Sequence, residues 1–222
     1  MSIGQPPTHV KPGQGPARMK QLVDTQETEH DLIARAQRGD AGAFNQLVGR
    51  YQRSAYNIAY RLVGDPDSAA DATQDAFASA FRNLRSFRGG SFRAWLFRIV
   101  SNCAYDVLRL RERRPTTSLE AITDSESNPV DFPDPSESPE DSALRAEMIQ
   151  LINESLQKLP FEQRVALVLC DVQGMTYDEI AASTATSLGT VKSRINRGRA
   201  HMRTDLLRHR ELIPARFRHE GS

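Results

Sequence analysis

Residues Thr176 to Arg203, TYDEIAASTATSLGTVKSRINRGRAHMR, place a capped helix, a short polar turn and a strongly basic second helix in one stretch, with no acidic side chain on the second helix until Asp205. Thr176 and Glu179 have capping-box spacing: the Thr hydroxyl accepts from the Glu179 amide while the Glu carboxylate reaches back to the Thr176 amide. The first helix therefore has a defined start. In the second, Val191, Ile195, Met202 and Leu206 recur at spacings of four, seven and four, which predicts one buried stripe. Lys192, Ser193, Asn196, Arg197, Arg199 and Arg203 then face outward. Outward Arg and Asn near a helix N-terminus suit guanine and adenine edges in the major groove, while Lys, Ser and further Arg suit phosphate oxygens. The layout is that of a helix-turn-helix DNA reader. The competing reading is a solvated basic helix face.

The chain of 222 residues has the composition of an ordinary globular protein, and its net charge of +1 averages over an uneven distribution. Pro115 to Asp141 carries eight Asp or Glu and no Lys or Arg, whereas Arg85–Arg114 and Lys192–Arg218 are crowded with Arg. Two basic surfaces flanking an acidic strip fit a protein that touches a polyanion at two places. The preference for Arg suits forked recognition of phosphates and bases, and a GC-rich genome produces the same bias. Cys103 and Cys170 have no partner at metal or redox spacing and read as reduced core residues of a cytoplasmic protein. No apolar run approaches the roughly 18 residues of a membrane span, so no membrane insertion is expected. The N-terminus lacks the apolar segment of a secretory signal.

Working outward, residues 1–25 are rich in Pro, Gly and Gln and read as a disordered tail. Residues 26–114 read as one helical domain. Leu32, Ile33 and Ala36 open a short helix that stops at Gly39, and Asp40 caps the next, whose stripe is Phe44, Leu47, Val48, Tyr51, Ala55, Ile58, Ala59 and Leu62. Gly64, Asp65 and Pro66 separate it from a third, with Ala69, Thr73, Ala76, Phe77, Ala80 and Leu84 on one side. After the loop RSFRGG, Ser91 caps a fourth helix in which Trp95, Ile99, Cys103 and Val107 are expected to point inward. Arg98, Asn102, Asp106, Arg109 and Arg113 form its polar ridge. Residues 115–141 read as an acidic flexible linker, longer than compact domains place between elements, so the two halves are expected to be separate domains. Residues 142–209 form the helix-turn-helix domain and 210–222 a basic tail. The fold class is all-α: two small helical domains joined by the linker.

No catalytic set is present: the sequence has no GxxxxGK[ST], GxSxG or HExxH, and its five His are dispersed. No enzymatic activity, cofactor or metal is expected. Asp71 and Asp75 stand one turn apart, a spacing common on solvated faces. Together with Gln74, Phe77 and Phe81 they give an acidic-polar patch beside aromatics that suits a basic partner helix; an ordinary amphipathic core helix has the same spacing. The loop RSFRGGSF combines aromatic faces for stacking, Arg for phosphates and Gly for close backbone approach, the requirements for holding an extruded base.

The order of these parts closely resembles the extracytoplasmic-function (ECF) group of bacterial RNA polymerase sigma factors over about residues 29–206. The resemblance is carried by DATQDAFASAFRNL, FRGGSFRAWLFRIVSNCAYDVLR, LPFEQRVALVL, YDEIAAS and LGTVKSRINRGRAHMR. It implies that the first domain is similar to region 2, with Asp71, Gln74, Asp75, Phe77 and Phe81 seated on the beta-prime coiled coil of core RNA polymerase. By the same resemblance Arg85, Phe87, Arg88, Arg93 and Trp95 would hold a flipped base of the −10 element, and Asn102, Asp106 and Arg109 would lie along the DNA upstream of it. The second domain looks like region 4, whose −35 reading positions fall on Thr190, Lys192, Ser193, Asn196, Arg197 and Arg199. The implied partners are core polymerase, including its beta subunit, promoter DNA and an anti-sigma factor; the implied process is transcription initiation in a stress response. The chain departs from the family at the turn. Ser183 stands where Leu or Ile is usual, and Thr184, Ala185 and Thr186 replace an apolar residue, a glycine and another apolar residue, which predicts a locally weaker turn. Two further readings are a stand-alone helix-turn-helix regulator, which leaves the first domain unexplained, and a metal-dependent nuclease using Asp71 and Asp75, which lacks a second acidic pair.

Overall fold

A computed structural model describes residues 27–113 and 139–209. The described residues form α-helices and no strands: α1 (Glu29–Gln37), α2 (Ala41–Val63), α3 (Pro66–Asn83), α4 (Phe92–Arg113), α5 (Pro139–Gln157), α6 (Phe161–Leu167), α7 (Tyr177–Thr184) and α8 (Leu188–Leu207). A single 3-10 turn, Leu84–Ser86, follows α3, and a π-helical turn, Val168–Val172, follows α6. The readings of residues 1–25 as a tail, of most of the acidic linker and of 210–222 as a basic tail lie outside the described residues. α5 begins at Pro139, inside the segment read as linker.

The first four helices start where short polar side chains stand ready to accept their orphan amides. Thr28 accepts from the Asp31 amide at 3.2 Å, Asp40 from Ala43 at 3.0 Å, Asp65 from Ser68 at 3.0 Å and Ser91 from Ala94 at 3.1 Å. Each such cap contributes roughly 1 kcal/mol. α2, α3 and α4 pack against one another with α1 laid on α2. Their interface is built from Leu47, Ile58 and Leu62 of α2, a row of alanines (Ala69, Ala72, Ala76, Ala80) on α3, and Phe92, Leu96, Phe97 and Val100 of α4. The small α3 residues let the helix axes approach closely.

On α4 the buried row is not the one expected. Trp95, Ile99, Cys103 and Val107 are only partly buried, while Leu96, Val100 and Ala104 are fully enclosed. The row is rotated by one residue, about 100° of helix. Apolar periodicity fixes how wide a buried face is, and both rows are apolar; the neighbours decide which faces the centre. Here α4 is held by α2 and α3 on one side and by α7 on another, so a broad face is covered and the Trp95 row lies at its flank. Cys103 and Cys170 are free and half-buried, not core residues.

In the second group α6 and α8 form the central pair, joined by α5 and α7. Leu167, Val168 and Leu169 pack with Ile180, Val191 and Ile195. Gly198 is buried where α8 meets α6, and a Cβ there would stand 2.7 Å from a methyl of Leu167. The two groups of helices are not apart: α4 lies against α7, and α2 against α5, α6 and the π-turn. Their buried side chains form one continuous cluster.

Candidate nucleic-acid interface

The helix-turn-helix is built as the sequence requires. The Thr176 amide donates to Glu179 Oε2 at 2.9 Å and the Glu179 amide to Thr176 Oγ1 at 3.3 Å, completing the capping box of α7. Ala185 ends α7 in the left-handed region with φ 51°, a conformation that costs a non-glycine residue about 1–2 kcal/mol. The polar turn compensates internally. The Ser183 and Thr184 hydroxyls donate to the Ile180 carbonyl at 3.0 and 2.7 Å, and those of Thr184 and Thr186 share a bond of 2.9 Å. Ser187 then caps α8, accepting from the Thr190 amide at 3.1 Å, and its hydroxyl meets that of Thr190 at 2.8 Å.

Val191 and Ile195 hold the inner side of α8, with Met202 and Leu206 partly buried further along. Lys192, Asn196 and Arg197 are consequently exposed on the outer side, with Ser193 half-exposed beside them. Arg199 is placed differently. It pairs with Asp171 of the π-turn at 2.6 Å, which keeps the carboxyl of Asp171 below its ordinary value. Arg199 and Arg203 both border an apolar groove of about 430 Å³ between α5, the π-turn and α8, lined by Ile152, Leu156, Val172 and Met202 among others.

In the first group the RSFRGG segment is pinned at its base. Gln37 Nε2 of α1 donates to the carbonyls of Leu84 at 3.1 Å and Phe87 at 2.9 Å. No periodicity in the sequence marks Gln37, and its role emerges only from contact across 47 and 50 residues. Gly89 and Gly90 both have positive φ, 97° and 86°, which side chains rarely adopt. Phe87 packs edge-on to Phe92 at 5.7 Å and on Trp95 at 5.4 Å, and the Tyr51 ring lies tilted against Phe92 at 5.6 Å. Phe87 and Trp95 thus form an aromatic floor beneath the loop, while Arg85 and Arg88 are exposed at its rim. Arg93 is half-buried; its guanidinium lies 5.4 Å from the Phe97 ring and donates to the Gln173 carbonyl of the second group. Asn102 borders a cleft shared with the second group, and Asp106 and Arg109 are exposed beyond it.

On α3, Asp71, Gln74 and Asp75 are exposed. Phe77 lies in a shallow depression against α2, and Phe81, 47% exposed, packs on Phe44 at 5.0 Å. This face therefore offers carboxylates beside a partly open aromatic surface. Among the described residues no group of three or more His, Cys, Asp or Glu is arranged to hold a metal ion, and no helix is long and apolar enough to cross a membrane.

Two sigma-70 family models match the chain in sequence order: region 2 over residues 47–114 and region 4 over residues 149–202. The first covers the α2–α4 unit with its Arg-Gly-aromatic loop, the second the helices around the basic α8. Both regions in one chain define a sigma factor and disfavour a stand-alone helix-turn-helix regulator. The chain is 41% identical to the RNA polymerase sigma-H factor of Pseudomonas aeruginosa, covering 79% of this chain and 92% of that one. It is 39% identical to the ECF RNA polymerase sigma-E factor of Escherichia coli, covering 80% and 93%. It matches SigE of Mycolicibacterium smegmatis at 38% identity, spanning 77% of this chain but 65% of that longer protein. In three dimensions it is similar to CnrH, solved with the cytosolic domain of CnrY, with a TM-score of 0.59, 31% identity and coverage of 81% and 97%. Sigma factor RpoE of Bartonella quintana, solved with the anti-sigma factor NepR, gives a TM-score of 0.57 at 28% identity, covering 73% and 96%. The chain belongs to the ECF group of RNA polymerase sigma factors.

Proposed function

We propose that this sigma factor divides its work between two faces. The region 2 unit docks on core polymerase through Asp71, Gln74, Asp75, Phe77 and Phe81 and captures an unstacked base of the −10 element at the loop Arg85–Arg93. The region 4 unit reads the −35 element through Lys192, Ser193, Asn196 and Arg197, with Thr190 buttressing the start of α8. Asn102, Asp106 and Arg109 follow the duplex upstream of the melted segment. The chain acts by binding energy in the cytoplasm, without catalysis of its own; polymerase supplies the chemistry.

The observation that carries this reading is the loop: two left-handed glycines, exposed arginines and an aromatic floor, anchored by Gln37. Such a site matches an extruded base better than a duplex. Arg199 enters with a changed role. Its pairing with Asp171 favours a positioning part, holding the π-turn against α8, over a phosphate contact. The apolar groove beside it suits an apolar partner helix, as polymerase or an anti-sigma factor would supply.

Pull-down with core polymerase tests the docking face. Asp75→Arg places a cation on an exposed carboxylate position and is expected to abolish retention while helicity by circular dichroism is unchanged. Retention at the wild-type level would remove the α3 face from the interface.

A further inference from the structure

At nine residues α1 is shorter than helices that stand alone in water, so its place is set by what it touches. Leu32, Ile33 and Ala36 are buried in the first group of helices. The Arg35 guanidinium joins the two ends of the helix, pairing with Glu27 at 2.6 Å and with Asp40 at 2.5 Å. From α2, Arg50 donates to the Glu27 carbonyl at 2.6 Å and the Tyr51 hydroxyl donates to the Glu29 carboxylate. α1 is thus a post tied down along its length. It stands outside the region 2 match, which begins at residue 47.

Gln37 is the last residue of α1, half-buried, and its side chain crosses to the end of α3. Both hydrogens of its amide nitrogen are used, one on the Leu84 carbonyl at 3.1 Å and one on the Phe87 carbonyl at 2.9 Å. These carbonyls bracket the 3-10 turn Leu84–Ser86, which is itself closed by the Phe87 amide donating to Leu84 at 3.1 Å. One side chain therefore fixes the peptide planes on either side of the turn. Beyond it, among the described residues, no hydrogen bond reaches the backbone of Arg88, Gly89 or Gly90. The next tie is Ser91, the cap of α4. Gln37 is the last hold on the loop before three residues that nothing else fastens.

Water would satisfy the same two carbonyls without ordering them. What the Gln37 side chain adds is direction. Phe87 is the residue through which that direction acts: its carbonyl is held by Gln37 and its ring lies on Phe92 and Trp95. The same aromatic set is tied to α1 a second time, since Tyr51 donates to Glu29 and lies against Phe92. Holding an unstacked base requires the loop and the aromatic floor to be in register before the base arrives, because ordering them on binding subtracts from affinity.

We propose that Gln37 is a positioning residue of the −10 site, presetting the loop Arg85–Arg93 over its aromatic floor, so that α1 belongs to the base-capturing machinery. The proposal rests on the functional reading of the loop given above. It is tested on the full chain bound to core polymerase, with fork-shaped promoter DNA whose single-stranded −10 segment is drawn from a randomised library. Gln37→Glu keeps the shape and removes the donors, and Gln37→Met removes them without adding charge; the second decides if the first does not fold. Both are expected to bind the forks selected by the wild type about ten-fold more weakly. Their preference for one base at the extruded position should flatten, while retention on core polymerase and affinity for duplex −35 DNA stay at the wild-type level. Flattened preference is the signature that a purely stabilising role would not give. Equal weakening on every fork with base preference intact, or loss of core retention in proportion, overturns the proposal. Phe87→Ala and Arg88→Ala separate it from the reading on which it rests. If these two lose fork binding and both Gln37 variants do not, the proposal alone is overturned; if neither loses it, the loop does not hold the base and the functional reading falls as well.

Discussion

Ala185 and Gly198 are both positions that favour glycine, the first for its backbone conformation and the second for lack of room, and both are open to direct test. Ala185 occupies a left-handed position that glycine adopts freely, so Ala185→Gly is expected to stabilise the protein by up to about 1 kcal/mol, the relieved strain less glycine's greater chain entropy. Gly198 has no room for a branched side chain against Leu167. Gly198→Val is expected to cost about 1–3 kcal/mol by overpacking. Urea midpoints check both, and a neutral Gly198→Val would mean that α8 and α6 separate more readily than their contact implies. The Asp171 carboxyl sits below its ordinary 3.8 chiefly because Arg199 donates to it. A depressed carboxyl contributes stability that is complete above its unfolded value and lost as pH falls through its folded one. The wild-type protein should therefore lose part of its stability below about pH 4. Arg199→Ala should lose less over that window and differ by no more than about 1 kcal/mol at neutral pH, since the pair is half-exposed. Identical acid profiles would remove that pair from the pH response.

The α7–turn–α8 unit is legible in the sequence because its signals are local. A hydroxyl and a carboxylate at capping-box spacing, and an apolar stripe through Val191 and Ile195, say where helices begin and which side is buried. Thr176→Ala should cost roughly 1 kcal/mol, seen as a lower thermal midpoint. α4 shows where such reading stops. Its two parallel apolar rows are equally helical in spacing, and only the neighbours that the fold supplies, α2 and α3 on one side and α7 on another, decide that Leu96, Val100 and Ala104 take the centre. The π-turn at Val168–Val172 left no sequence mark, since a five-residue shift in hydrogen bonding disturbs apolar spacing too briefly to detect. Gln37 and Arg164 escaped for a related reason: each is a polar residue that donates to backbone carbonyls across the fold, Gln37 to those of Leu84 and Phe87 and Arg164 to that of Leu62. The turn departs from family habit, with Ser183, Thr184 and Thr186 where apolar residues are usual. The structure gives every one of these hydroxyls a partner, so the expected local weakness falls on Ala185 alone.

The long acidic segment argued for two independent domains, and each group of helices does have its own apolar interior. What the segment did not reveal is that the two interiors join across α2, α4, α6 and α7. A long connection permits contact as readily as separation, so length and charge decide nothing about how the two groups sit. The central claim, that α8 reads the upstream element while the loop after α3 melts and holds the downstream one, is tested most directly by transcription from a promoter library with core polymerase. Start sites are mapped for the wild type, Asn196→Ala and Arg88→Ala. Asn196→Ala is expected to relax preference at one or two adjacent −35 positions, by about 1–3 kcal/mol at each. Arg88→Ala should leave −35 preference intact and reduce open-complex formation on every promoter. Equal loss across all −35 sequences for Asn196→Ala, or a changed −35 preference for Arg88→Ala, would contradict the assignment.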